Sequence, residues 1–262
     1  MLSARDLVVK RSGRTVVESA SLVLEPGVLT AICGPNGAGK SSLLAALAGL
    51  LPIASGEVAL GDRQVAAIPA REKARMIGFL PQQADVAWDI SVETLVALGR
   101  LPWRSVPGRP ARASREADSK AVASAMAAME LEALAHRPVS QLSGGEKARA
   151  AMGRVLAGEP DWILADEPLA NLDLSHQQAL SASLKREAGK GRGVVVVMHD
   201  LAAAMNHAER VIVIENGHIV ADGAPEQALS REVIEAVWQV PCRWLGKAGA
   251  RALAMGPADA ET

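Results

Sequence analysis

Tyrosine is absent from this chain, phenylalanine occurs once, and aromatic residues amount to 2% of 262 positions. Hydrophobic residues still make up 49%, so the core has to be built from Ala, Val, Leu and Ile. The length suffices to bury a sizeable core, in one large α/β domain or two small ones. An excess of charge of either sign is missing too, and a net charge of −1 leaves no electrostatic case for a nucleic-acid partner. Cysteine is scarce. Cys33 and Cys242 lie far apart without metal-ligand spacing, and Cys33, closing an apolar run, reads as a small buried hydrophobe rather than a reactive thiol. No apolar run approaches the roughly 20 residues of a membrane span. No apolar signal-peptide segment follows Met1-Leu2-Ser3-Ala4-Arg5-Asp6 either. A cytosolic protein is expected, unless something recruits it elsewhere.

What is present centres on Gly34-Pro35-Asn36-Gly37-Ala38-Gly39-Lys40-Ser41, a full G-x-x-x-x-G-K-[ST] pattern. The apolar run Val28 to Cys33 reads as a buried strand before it, and Ser42 to Ala48 as a helix after it. The glycines let the backbone curl into a nest of N–H groups facing a polyphosphate, and the helix N-terminus adds its dipole. Lys40 then reaches the β- and γ-phosphates, and the Ser41 hydroxyl binds Mg²⁺. A turn that merely joins strand to helix does not need all four defining residues with both flanks.

Taken in order, Asp6–Lys10, Ala20–Leu24 and Glu57–Leu60 alternate like strands of an antiparallel sheet, punctuated by Gly13, Pro26-Gly27 and Gly61-Asp62. Met76–Leu80 reads as another strand, ending before Gln82. From about Ser91 to Ala157 the pattern turns helical. A helix capped by Ser91 runs to about Gly99, Leu101–Ala113 with Pro102, Pro107 and Pro110 reads as a loop, and Glu116–Leu134 as a long Ala-rich helix. The arginines of that loop have no interleaved aromatics for stacking on bases and read as a solvated face. Strand–helix alternation then resumes: strand Trp162–Ala165, helix Leu174–Glu187, strand Val194–Met198, helix Leu201–Ala208. Arg210–Glu215 and His218–Ala221 flank Asn216-Gly217, a strong hairpin signal. Strand Val194–Met198 shows no alternation, as a strand buried on both faces should. From Gly246 on, an Ala- and Gly-rich, weakly ordered tail is expected.

Four further elements carry chemistry. Asp166-Glu167 closes a buried strand, placing Asp166 to hold Mg²⁺ and Glu167 to polarise an attacking water. Alone, such a pair is more often a helix cap or turn. Leu142-Ser143-Gly144-Gly145-Glu146 precedes a helix and alone would read as its Ser cap. Gln82 ends a strand, where lone glutamines are usually surface residues, and His199-Asp200 ends the valine strand, where a histidine can be structural. Together, all five elements sit at strand ends or helix starts, where an α/β sheet presents its ligand groups.

Their order and residues resemble the nucleotide-binding subunit of ATP-binding-cassette (ABC) transporters, from about Leu2 to about Trp244. The resemblance implies a P-loop NTPase (RecA-like) α/β core with an N-terminal antiparallel β subdomain and an inserted α-helical subdomain at about 84–157. It also implies one ATPase domain over 1–245, with 246–262 as the tail. Walker A is Gly34, Pro35, Asn36, Gly37, Ala38, Gly39, Lys40 and Ser41, with Ser42 beside the ATP. Gln82 is the Q-loop, Ser143, Gly144, Gly145 and Glu146 belong to the signature, and Ile163–Glu167 is Walker B. Ala170–Asp173 is the D-loop and His199 the switch histidine. Catalytic roles fall to Glu167, His199, Gln82 and Asp173, and Mg²⁺ to Ser41, Gln82 and Asp166. The working unit implied is a head-to-tail homodimer. Each ATP lies between one Walker A and the other subunit's signature, whose Ser143 hydroxyl, Gly145 N–H and helix N-terminus point at the γ-phosphate.

Asp89-Ile90-Ser91-Val92-Glu93-Thr94-Leu95-Val96-Ala97-Leu98-Gly99-Arg100-Leu101-Pro102 is similar to the S-V-x-x-x-V-x-x-G-R-x-P stretch of ATPases serving ferric-siderophore, haem and cobalamin importers. That resemblance implies an ATP-hydrolysing importer subunit. Its partners would be a membrane permease and a periplasmic or extracellular substrate-binding protein, and it would sit peripherally on the inner face of the cell membrane. Trp88 and Trp103, beside Arg100 and Arg104, read either as core of the helical subdomain or as a groove for a permease helix. The family stacks adenine on an aromatic where this chain has Arg11, whose guanidinium can stack on a purine. Other readings of the resemblance are a cytosolic scaffold for iron–sulfur assembly and a non-transport ABC protein.

Overall fold

The computed structural model describes residues 1–82, 89–104, 111–170 and 172–256, with 111–114 traced by backbone alone. Trp88 and Asn171 lie outside the described residues. In chain order the first elements are β1 (Leu2–Arg11), β2 (Arg14–Leu24), β3 (Leu29–Cys33), α1 (Lys40–Leu47), β4 (Ser55–Leu60) and β5 (Arg63–Gln64). Then come α2 (Ala70–Met76), β6 (Ile77–Leu80), α3 (Val92–Ala97), α4 (Ala111–Ala128) and α5 (Gly144–Ala157). β7 (Trp162–Asp166), α6 (Leu174–Gly189), β8 (Gly193–Val197), α7 (Leu201–His207), β9 (Arg210–Glu215) and β10 (His218–Gly223) follow. The chain continues through α8 (Pro225–Ala228), α9 (Arg231–Trp238), β11 (Cys242–Leu245) and β12 (Ala252–Met255).

An antiparallel sheet, β2-β1-β4-β5, lies against a larger one ordered β10-β9-β3-β8-β7-β6. In the larger sheet every neighbouring pair is parallel except the β9–β10 hairpin. Its turn has Asn216 and Gly217 at φ 49° and 84°, the left-handed pair a two-residue hairpin requires. The central strands are buried on both faces. Val195 and Val197 pack with α1 and the antiparallel sheet, whereas Val194 and Val196 pack with α5, α6 and α7. The cores on both sides are dominated by Leu, Val, Ile and Ala, as the lack of aromatics demands. Trp162 is buried against Gly193, where an added Cβ would strike the indole.

Several elements differ from the sequence expectation. α2 was not anticipated: Met76 ends a helix, and the strand begins at Ile77. Ala70-Arg71-Glu72-Lys73-Ala74-Arg75-Met76 buries no residue, so it carries no apolar stripe to reveal it. It is held by polar bonds instead, Lys73 Nζ to Gly49 O (2.8 Å) and Arg71 and Arg75 Nε to Pro102 O (3.0 and 2.8 Å). The stretch read as a loop over Leu101–Ala113 begins in a 3₁₀ turn, Leu98–Trp103, and ends inside α4. That helix stops at Ala128 because Glu130 turns to φ 52°, leaving Glu132–Leu134 as a separate 3₁₀ turn. Of the tail expected to be weakly ordered over 246–262, the described part carries β12, paired with β11 and stitched to α7 at both ends of one amide, and 257–262 lie outside the described residues. Asn206 Nδ2 donates to Arg251 O and Arg251 N to Asn206 Oδ1, each 2.8 Å.

Arg100 ties the Leu98–Trp103 turn to α4 and to the end of α5. Its side chain is 3% exposed and donates to Asp118 (2.8 Å), Glu159 (2.7 Å) and Ala157 O (2.9 Å). Its guanidinium lies 5.0 Å from the centre of the Trp103 ring, which Arg75 faces at 5.2 Å. Trp103 Nε1 in turn donates to Gly158 O (2.8 Å). Trp103 and Arg100 are therefore framework, not an open docking face. Removing one member of a buried charge cluster typically costs about 3 kcal/mol or more. Arg100→Ala should lower the unfolding free energy by about that amount in urea titration. Arg63→Ala, at the exposed pair with Glu72, should leave the midpoint nearly unchanged.

Candidate active site

The parallel strands β3, β8, β7 and β6 deliver their carboxyl ends to one edge, and four of the five sequence elements are found there. After β3 the loop turns through Gly34, Gly37 and Gly39 at φ 151°, 80° and 103°. A Cβ at Gly34 would land on the carbonyl oxygen of Ile214 in β9, and one at Gly39 on that of Val16 in β2. The loop is therefore wedged between the two sheets. The β9–β10 turn braces it from outside, with Gly217 N donating to Ala38 O (3.0 Å) and Glu18 N to Gly217 O (2.9 Å). Asn216-Gly217 marks a hairpin, but neither it nor Val16 carries a local signal that the turn braces the phosphate loop.

Lys40 is 5% exposed, and its ammonium donates to Gly34 O and Pro35 O, both at 2.9 Å. It thus rests on the rim of the nest. Burial pushes its pKa down, opposed by the charges of Glu167 and Asp166. Ser41 Oγ donates to Asp166 Oδ1 (3.0 Å), and burial pushes the Asp166 carboxyl up. Asn36 and Ser42 lie in the same loop and first helical turn. Behind the loop, Cys33 is fully buried and its thiol is pushed up to about 12 by desolvation, which keeps it inert.

Glu167 sits next to Asp166 with φ 51°, a left-handed conformation that costs a non-glycine residue roughly 1–3 kcal/mol. Its carboxylate is held from two sides. Gln82 Nε2 donates to Oε2 (2.7 Å), and His199 Nε2 meets Oε1. Gln82 makes no hydrogen bond to Ser41 or Asp166. A cavity of about 210 Å³ lies against Glu167 and His199, walled by Leu169, Met198 and Ala203.

The fifth element stands apart. Ser143 caps α5, accepting from Glu146 N (3.3 Å), while Glu146 Oε2 accepts from Ser143 N (2.8 Å). This is a capping box, and the Ser143 N–H draws the Glu146 carboxyl down. No hydrogen bond or ion pair among the described residues joins Ser143–Glu146 to the phosphate loop. Asp173 caps α6, accepting from His176 N (2.9 Å), Ser175 Oγ (2.8 Å) and His176 Nδ1 (2.7 Å). Led by that backbone N–H, these bonds lower its pKa to about 2. The cap is therefore complete above the ordinary carboxylate pKa and is lost only as pH falls toward 2. The His176 ring lies 3.2 Å from where a Cβ on Gly145 would be, joining the Asp173 turn to the signature. Arg11 ends β1 in the Ser12-Gly13 turn, exposed and without a bond to the loop.

A second surface lies between the end of α1, α2, the Leu98–Trp103 turn and the C-terminal turn of α5. This groove encloses about 660 Å³. Leu50 and Leu101 line it at 60% and 49% exposure.

A sequence profile described as ABC transporter matches residues 17–170. The chain is 40% identical over 240 residues to the hemin import ATP-binding protein HmuV of Rhodococcus jostii, covering 92% of this chain and 80% of that protein. To the protein of the same name from Nocardia farcinica it is 42% identical over 245 residues (92% and 83% covered). For the Pseudomonas aeruginosa protein the figures are 39% over 243 residues (91% and 92%). Among solved structures, an inward-facing metal-chelate type ABC transporter matches with TM-score 0.79 at 24% identity, covering 99% of this chain and 98% of that one. The cassette MJ0796, a dimer in a post-hydrolysis state bound to ADP and Pi, matches with TM-score 0.73 at 26% identity (86% and 99%).

The wedged loop has a measurable consequence. At Gly37 an added Cβ meets nothing within 4 Å, so Gly37→Ala carries only the left-handed backbone cost of about 1–2 kcal/mol. Gly39→Ala adds a collision with the Val16 carbonyl and should destabilise more, with greater loss of ATP affinity. Equal effects of the two variants on urea unfolding and nucleotide binding would contradict the wedge.

Proposed function

This chain belongs to the ABC transporter family as an ATP-hydrolysing importer subunit, and from that premise we propose that it drives uptake of hemin through a partner permease. The cargo reading rests on the hemin import relatives, which align over nearly the whole chain. The observation that carries the chemistry is the clamped Glu167 carboxylate beside the Ser41–Asp166 pair.

Binding of ATP starts in the nest of Gly34–Gly39, whose N–H groups face the phosphates. Lys40 exchanges its two carbonyl acceptors for β- and γ-phosphate oxygens. The Ser41 hydroxyl and Asp166 carboxylate are hard oxygen donors and fit Mg²⁺, with Gln82 as a further oxygen donor once its amide turns. Among the described residues no group of three His, Cys, Asp or Glu converges, which suits an ion that takes its other ligands from phosphate and water. When bound, Mg²⁺ neutralises charge developing on the β- and γ-phosphate oxygens. Glu167 orients and deprotonates the attacking water, held in place by Gln82 and His199. His199 also faces the γ-phosphate from the end of β8.

Completion of the site requires a second copy. In a head-to-tail dimer, Ser143, Gly144 and Gly145 of one subunit would close on the phosphates held by the other. Glu146 would serve by fixing the Ser143 cap, and Asp173 by fixing the turn between Glu167 and α6. The Arg11 guanidinium would lie over the adenine. No described helix is long and apolar enough to cross a membrane, so a permease would supply the pathway. It would hold this subunit at the inner face of the membrane by a short helix in the groove at Leu50 and Leu101. A substrate-binding protein would deliver cargo on the far side.

The test is ATPase stimulation in the permease complex reconstituted in liposomes. Hemin presented with its binding protein should raise the wild-type rate, and Lys40→Ala should lose both ATP affinity and turnover. Stimulation by a ferric hydroxamate or cobalamin in place of hemin would overturn the cargo. Normal hydrolysis by Lys40→Ala would overturn the phosphate-loop roles.

A further inference from the structure

The groove proposed for the permease helix contains a charge that no described residue answers. Arg154 lies on the last turn of α5 and lines the groove, half-buried. No hydrogen bond or ion pair holds it among the described residues. Its neighbours show how unusual this is. Arg100 has two carboxylates and a carbonyl, Arg149 has the carbonyls of Met129 and Glu130, and Arg71 and Arg75 share Pro102 O. The other cation of the groove, Lys73, is bonded to Gly49 O. Among the described residues no Asp or Glu lines the groove, and the other described walls are apolar side chains and glycines. Burial alone pushes the Arg154 pKa down, with no carboxylate opposing it.

The half-buried Arg154 guanidinium still reaches water, and its planar fork matches a carboxylate in two parallel hydrogen bonds. Apolar walls lower the local dielectric and strengthen such a pair. We propose that the groove accepts an acidic side chain, an Asp or Glu on the apolar face of the permease's docking helix, bidentate on Arg154. This rests on the groove being the permease surface. The residue would then choose the partner. A helix with a neutral or basic residue at that point would leave Arg154 unpaired, and the subunit would discriminate among permeases by charge as well as by fit.

The experiment measures affinity of the soluble subunit for its permease, captured in detergent by a tag, at low and high salt. Arg154→Met should weaken binding about tenfold or more and flatten its salt dependence. Arg154→Lys should keep the salt dependence with part of the affinity, since it retains the charge and loses the fork. Neither variant should alter the soluble ATPase or lower the unfolding midpoint, because no described residue bonds the Arg154 side chain. Leu101→Glu reports on the groove itself. If Leu101→Glu abolishes binding while Arg154→Met binds with wild-type affinity and salt dependence, the carboxylate contact is overturned and the docking surface stands. If both bind as wild type, the docking surface fails and the contact with it. A lowered unfolding midpoint of Arg154→Met with unchanged permease affinity would mean that the guanidinium serves the chain's own fold, which also overturns the proposal.

Discussion

The structure depends on one close approach, the passage of the 34–39 backbone between the carbonyls of Val16 and Ile214. Two sheets of different construction meet there. The antiparallel sheet contributes the start of β2, the parallel sheet contributes β9, and the loop fills the gap with backbone alone. Only glycine fits at 34 and 39, so the two sheets, the loop and α1 are held in a single register. That register sets the direction of the loop's N–H groups, the reach of Lys40 and the 3.0 Å spacing of Ser41 and Asp166. The β9–β10 turn extends the same constraint through the Gly217 contacts to Ala38 and Glu18.

Around this loop the chain stores unfavourable arrangements that substrate would relieve. Lys40 is desolvated and Asp166 is buried, and Glu167 occupies a left-handed backbone position. Surrounding contacts over-determine each of them: two carbonyls at Lys40, a hydroxyl at Asp166, and Gln82 with His199 at Glu167. A triphosphate would supply the anionic partner for Lys40 that the loop carbonyls only approximate. Preorganisation of this kind puts the reorganisation cost into folding rather than into the reaction step.

Much of this was legible because the signals are local. The strand–loop–helix of the phosphate site, the doubly buried valine strand and the Asn216-Gly217 hairpin each have their cause within a few residues. α2 was missed because its stability comes from carbonyls at Gly49 and Pro102, remote in sequence, rather than from an apolar stripe. β12 was missed because an Ala- and Gly-rich stretch gives no pattern until Asn206 and β11 supply partners. The stretch similar to importer ATPases is largely framework: Ser91 caps α3, Val92 and Val96 are buried, and Gly99 presses on the Arg154 carbonyl. His176, which bridges Asp173 to Gly145, is a polar residue on a helix, and nothing in its local sequence marks it. Arg11, at the position where the family carries an aromatic, has no side-chain bond among the described residues that fixes it near the loop.

The central claim is that the catalytic site is completed by a second copy of the chain. It is tested most directly by the oligomeric state of Glu167→Gln with ATP. This variant keeps the shape of the side chain and the Ser41–Asp166 pair, so ATP should still bind. Loss of a general base typically slows the chemical step by ~10²–10⁴, leaving ATP trapped between Gly37, Gly39 and Lys40 of one subunit and Ser143 and Gly145 of the other. Light scattering should show a dimer with ATP and a monomer with ADP, and adding Ser143→Arg should return the ATP-bound form to monomer. A Glu167→Gln variant that binds ATP, fails to hydrolyse it and stays monomeric would contradict the composite site.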